Sequence, residues 1–108
     1  MKYSELYISD NKVQLYISED GDLFTDESLD TLVNLIDNDD ISIVEIHCDL
    51  AKLNDKNDIC SLIRTLKALC GNDKQIDLYV KNSLSCMIAI NDVYINEILC
   101  YIDNIYPT

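Results

Sequence analysis

The sequence predicts a single α/β domain, with α+β as the neighbouring class, built as two layers: a mixed sheet of four or five strands with three helices on one face. Three observations carry this prediction. Alternating strand-like segments and helical stripes follow one another in the order β-β-α-β-α-β-(β)-α. Strand–helix–strand units make parallel pairs with right-handed crossovers, which gather successive helices on one side of a sheet. Four of the strand segments are apolar on one side only, whereas a sheet covered on both faces has near-continuous apolar strands. Finally, 108 residues that are 48% hydrophobic, with two Gly and one Pro, make one core without a linker, so residues 1–108 are read as one domain.

Tyr3–Ser18 reads as a β-hairpin. Leu6 and Ile8 alternate with Tyr3, Glu5 and Tyr7, and after a polar turn around Ser9–Lys12, Val13, Leu15 and Ile17 alternate with Gln14, Tyr16 and Ser18. A first helix is predicted from about Asp26 to Asp37. Thr25 is a suitable N-cap, Asp26 and Glu27 complement the positive helix end, and Leu29, Leu32, Val33 and Ile36 form one stripe. Strand three, Ile41–Leu50, sets Val44, Ile46, Cys48 and Leu50 against Glu45, His47 and Asp49. A second helix, Asp58–Cys70, carries Ile59, Leu62, Ile63, Leu66, Leu69 and Cys70 and stops at Gly71, a residue suited to the left-handed position after a helix. Strand four, Gln75–Lys81, alternates Ile76, Leu78 and Val80 with Asp77, Tyr79 and Lys81. Leu84–Ile90 is apolar on both faces and fits a fifth strand or a buried helical turn, and periodicity over so few residues does not choose. A last helix, about Val93–Tyr106, buries Ile95, Ile98, Leu99, Ile102 and Ile105.

The charge is unevenly placed. The formal net charge is −12, yet no Lys or Arg occurs between Lys12 and Lys52. That interval holds Glu19, Asp20, Asp22, Asp26, Glu27, Asp30, Asp37, Asp39, Asp40, Glu45 and Asp49, and the remaining sequence is nearly balanced. Such a segment steers a protein toward a basic surface, or simply keeps it in solution by repulsion.

The open face of the predicted sheet carries Tyr3, Tyr7, Tyr16, His47 and Tyr79 among carboxylates. Tyrosines give rigid contact area at low entropic cost, which suits a binding or dimerisation face. Nucleic acid is not expected there, because Lys81 is the one base among Glu5, Glu45, Asp49 and Asp77.

Chemistry is not expected either. His47 is the one histidine, flanked on its strand by Glu45 and Asp49 about 7 Å away, with no recognisable nucleophile beside it. With two glycines the chain has none of the Gly-rich phosphate or nucleophile motifs. Asp20-Gly-Asp22 and Asp37-Asn-Asp39 lack the central Gly and terminal Glu of a calcium loop. The five cysteines stand ten or more residues apart, without the close pair that zinc or redox sites use. Cys48, Cys60, Cys70 and Cys86 fall on or beside core positions, and Cys100 faces solvent. No cofactor and no metal are expected, and the absence of an apolar span or signal-like start points to a cytoplasmic protein.

Over residues 3–81 the hairpin, helix, strand and second helix resemble a STAS domain, the fold of anti-sigma-factor antagonists. In that family a short loop opening the second helix commonly reads Asp-Ser-Ser-Gly and carries a regulatory phosphoserine. The corresponding stretch here is Asp55-Lys56-Asn57-Asp58, followed by Ile59 and Leu62 in the helical stripe. Only Asp55 matches, and with Lys56 and Asn57 at the serine positions the family's phospho-switch is not expected. The resemblance implies binding of a regulatory protein partner without catalysis.

The leading expectation is therefore a non-enzymatic regulatory module that engages a basic partner protein. Its contact residues are expected among Glu19, Asp20, Asp22, Asp26, Glu27, Asp30, Asp37, Asp39 and Asp40, together with Tyr7, Tyr16, His47 and Tyr79. One alternative is a mobile-element inhibitor, of anti-restriction or anti-CRISPR type, that mimics nucleic acid. The other is a homodimer formed through the tyrosine-bearing face.

Overall fold

The computed structural model describes residues 3–17, 26–49, 56–81, 83–90 and 93–108. Five strands and four α-helices are described: β1 (Tyr3–Ser9), β2 (Lys12–Ile17), α1 (Asp26–Ile36), β3 (Ile43–Cys48), α2 (Lys56–Cys70), β4 (Gln75–Val80), α3 (Leu84–Ile90), α4 (Val93–Ile98) and β5 (Asn104–Pro107). A 3-10 turn, Leu99–Tyr101, links α4 to β5. No described helix is long and apolar enough to cross a membrane.

The sheet is mixed and its spatial order follows the chain, β1-β2-β3-β4-β5. β1 pairs antiparallel with β2, and β2–β3, β3–β4 and β4–β5 are parallel. The hairpin turns at Asp10 and Asn11, with Asp10 at φ 52, a left-handed conformation that Asp tolerates better than most residues. α2 stops as its sequence suggests: Gly71 adopts φ 59, and its N–H donates to the Lys67 carbonyl at 2.9 Å.

The alternation read in the strands becomes the division between layers. Val13, Leu15 and Ile17 stand in register with Val44, Ile46 and Cys48, and these with Ile76, Leu78 and Val80. All nine are buried. Most of them share one core with Leu32 and Ile36 of α1, six residues of α2, Cys86 of α3 and Ile98 of α4. Every described helix therefore contributes to the same side of the sheet, which is the two-layer arrangement expected.

The last quarter of the chain departs from the sequence prediction. Leu84–Ile90 is the helix α3 and not a strand. The Ser83 hydroxyl accepts a hydrogen bond from the Cys86 N–H at 3.2 Å, an N-cap that favours the helical alternative. The predicted final helix is also shorter: α4 ends at Ile98, and β5 is the fifth strand. Asp103 fixes its start, its N–H donating to the Ile76 carbonyl and its carboxylate accepting from the Ile76 N–H, both at 2.8 Å. Ile105, expected in the core, is accordingly exposed, as is Leu69 of α2.

Candidate functional site

The open face is organised by strand register into two rows that run across the strands. The parallel pairings align Tyr16 with His47, His47 with Tyr79, and Tyr79 with Tyr106. Their rings stack in turn. Tyr16 and His47 have centroids 4.3 Å apart at 12°, His47 and Tyr79 4.5 Å at 13°, and Tyr79 and Tyr106 4.8 Å at 31°. Tyr7 of β1 closes the row edge-on against Tyr16, at 5.7 Å and 86°. Parallel strands lie about 4.8 Å apart, so aromatic side chains at matching register positions are already at stacking distance.

The second row, one step toward the amino ends of the parallel strands, is Gln14, Glu45, Asp77 and Asn104. Its two carboxylates were expected at solvent-facing positions, but Glu45 is only 3% and Asp77 4% exposed. Neighbouring amides account for this. Gln14 Nε2 donates to Glu45 Oε1 at 3.2 Å, and Lys12 Nζ lies 4.0 Å from Glu45 Oε2. Gln75 Nε2 donates to both Asp77 oxygens at 2.9 Å, and Asn104 Nδ2 donates to Asp77 Oδ1 at 3.0 Å. A buried carboxylate is tolerable when its lone pairs are met in this way.

The rows are joined by Tyr79, which hydrogen-bonds the Glu45 carboxylate. Burial first, and then the negative charge of Glu45, push the Tyr79 phenol above its ordinary value, so the hydroxyl keeps its proton to donate. His47 is held below its ordinary value of 6.5, because desolvation between the tyrosines outweighs the opposing pull of Glu45. Its Nε2 is buried and has no hydrogen-bond partner among the described residues.

At the carboxyl ends of the parallel strands the row borders an open cleft of about 290 Å³, lined by Tyr16, His47, Asp49, Tyr79, Lys81 and Thr108. Lys81 Nζ sits 3.9 Å from Asp49, whose other oxygen accepts from the Cys86 thiol at 3.2 Å. The Cys48 thiol in its wall is pushed up to about 12 by burial, with Asp49 and Cys86 adding to the effect, so it is a poor nucleophile at neutral pH. Among the described residues no group of three His, Cys, Asp or Glu side chains is placed to hold a metal ion.

The contact residues predicted from sequence are divided by the fold. Tyr7, Tyr16, His47 and Tyr79 come together as one row. Asp30, Asp37, Asp39 and Asp40 are exposed, on α1 and in the loop ahead of β3. Asp37 and Asp39 line a second cleft of about 370 Å³ with Ser42, Asp73 and Lys74. That cleft lies at the amino ends of the parallel strands, whereas the aromatic row lies toward their carboxyl ends, so the two are separate surfaces. Asp26 and Glu27 open α1, and their side chains lie outside the described part of the structure. Glu19, Asp20, Asp22 and Asp55 lie outside the described residues. Tyr106 was missed from the row because its segment reads as helix. The signal available was Pro107, because the residue before a proline, here Tyr106, is biased away from helical backbone toward extended.

No family model, no curated protein and no solved structure matches this chain.

Proposed function

We propose that this chain is a non-enzymatic regulatory module that binds a basic protein partner on the open face of its sheet. The observation that carries this reading is the continuous row Tyr7–Tyr16–His47–Tyr79–Tyr106, which turns scattered tyrosines into one patch on a face no described helix covers. Contiguous aromatic surface of this kind is where binding energy concentrates in protein interfaces. The acid-rich stretch from Glu19 to Asp49, with Asp37, Asp39 and Asp40 exposed, supplies the long-range attraction for a basic partner. Capture and orientation are then separate tasks: charge speeds the encounter, and the row fixes the pose.

Direct binding of nucleic acid fits this face poorly. Base-stacking platforms offer free ring faces, whereas His47 and Tyr79 each have both faces turned to neighbouring rings. A STAS-like regulatory role remains compatible with the hairpin and the parallel strand–helix units, and it also involves a protein partner.

The test is affinity capture from the source cells, followed by titration of the purified partner against three proteins. These are the wild type, Tyr106→Glu, and a triple variant with Asp37, Asp39 and Asp40 changed to Lys. The expected result is a basic partner whose affinity falls at least about tenfold with Tyr106→Glu. The triple variant should chiefly slow association and flatten the salt dependence. A partner bound equally well by all three proteins overturns the reading.

A further inference from the structure

We propose that β1 pairs edge to edge, in antiparallel sense, with β1 of a second copy of this chain, about a two-fold axis at Tyr7. β1 and β5 are the two sheet edges, and they differ in how they are protected. β5 is four residues long and contains Pro107, which has no N–H to offer, and the Thr108 N–H is taken by the Val80 carbonyl at 2.8 Å. β1 is seven residues long, contains no Lys or Pro, and has Glu5 as its one charged residue, so little in its sequence blunts the edge. Its one irregularity against β2 lies between Tyr3 and Glu5, so Glu5–Ser9 is the regular stretch.

That stretch is self-complementary about its centre. A two-fold axis at Tyr7 sets Tyr7 opposite Tyr7 of the second copy, Leu6 opposite Ile8, and Glu5 opposite Ser9. Apolar meets apolar on the helix side, and ring meets ring on the open side. The side chains at the rim are those such a pairing would cover: Ile8 is 57% exposed although it points to the core side, and Tyr7 is 50% exposed on the other face. Directly opposed residues of an antiparallel pair approach closely enough for both contacts. An isologous pairing of this kind closes on itself and leaves no further β1 edge open.

Charge sets the conditions. Two copies at −12 each repel, so this association strengthens as salt screens the repulsion. Binding of a basic partner weakens under the same change. The opposite signs keep the two proposals distinguishable, and neither depends on the other.

Sedimentation over a concentration series, at low and high ionic strength, tests the pairing. The expected result is a reversible monomer–dimer equilibrium favoured by salt and weakened about tenfold or more by Ile8→Lys, a change at an exposed position that spares the core. Hydrogen exchange on the wild-type chain checks the location without any variant: amides of residues 5–9 slow as concentration rises. A chain that stays monomeric in high salt, a dimer indifferent to Ile8→Lys, or β1 exchange independent of concentration would overturn the proposal.

Discussion

The imidazole of His47 lies against the ring of Tyr79 with centroids 4.5 Å apart and planes 13° from parallel, and the opposite face of the imidazole meets Tyr16 at 4.3 Å. His47 is thus the middle of a stack, a position that explains both its depressed basicity and its unpartnered Nε2. Removing it interrupts the row at its centre. His47→Ala is expected to cost about 1–3 kcal/mol, the worth of two aromatic contacts. His47→Phe keeps the stacking and removes the buried nitrogen, so it is expected to be at least as stable as the wild type. Urea unfolding midpoints of the three proteins decide this, and an Ala variant as stable as the Phe variant would contradict a structural role for the stack.

The same residue gives stability a pH dependence of definite sign. Because folding holds His47 below its ordinary value of 6.5, the unfolded chain binds more protons in the window between the two values. The contribution is fully present above 6.5 and is lost as pH falls through the lower, folded value. Chemical denaturation across that window is expected to show stability rising with pH, with a shallower rise in His47→Phe. The imidazole resonances of the folded wild type should titrate with a midpoint below 6.5. A midpoint above it would reverse the sign.

Asp77 is held by the amide of Gln75, two residues back on β4, and by that of Asn104, which ties β5 to β4 across the open face. Asp77→Ala leaves both amides without their acceptor and is expected to destabilise by about 1–3 kcal/mol. The loss should appear first at β5, as faster amide exchange over residues 104–107. Exchange that rises uniformly through the sheet would indicate that the clamp is not local.

Thiol chemistry separates the cysteines. Cys48, Cys60, Cys70 and Cys86 are buried and Cys100 is exposed. Burial pushes up the Cys70 thiol, and Cys48 reaches about 12. A thiol-specific chromogenic reagent is expected to label Cys100 rapidly in the native protein and all five cysteines only after unfolding. Rapid native labelling of Cys48 would show that the strand ends open far more readily than their packing implies.

Much of the architecture was legible because it depends on period. The alternations in β2, β3 and β4 identify the buried face residue by residue, and register then places Tyr16, His47 and Tyr79 side by side. Two features were harder to read. In Leu84–Ile90 the period is masked by apolar residues at nearly every position, and Leu84 and Ile88 remain exposed on the finished helix, so hydrophobicity there does not report burial. Tyr106 sits in a four-residue strand, too short to establish an alternation of its own. The burial of Glu45 and Asp77 depends on amides from neighbouring strands, Gln14 and Asn104, whose convergence no local pattern encodes; only Gln75, two residues before Asp77, is a local partner.

A sheet whose spatial order repeats its chain order can be wound strand by strand, each new strand finding its neighbour already in place. On that path the hairpin comes first and β5 last. The aromatic row is then a late product of folding, since the ring of Tyr106 joins it only when the last strand docks. A nascent chain carrying β1 to β4 has its hydrophobic layer largely assembled while its contact surface is still one ring short. Recognition through that row would therefore discriminate between finished and unfinished copies of the protein.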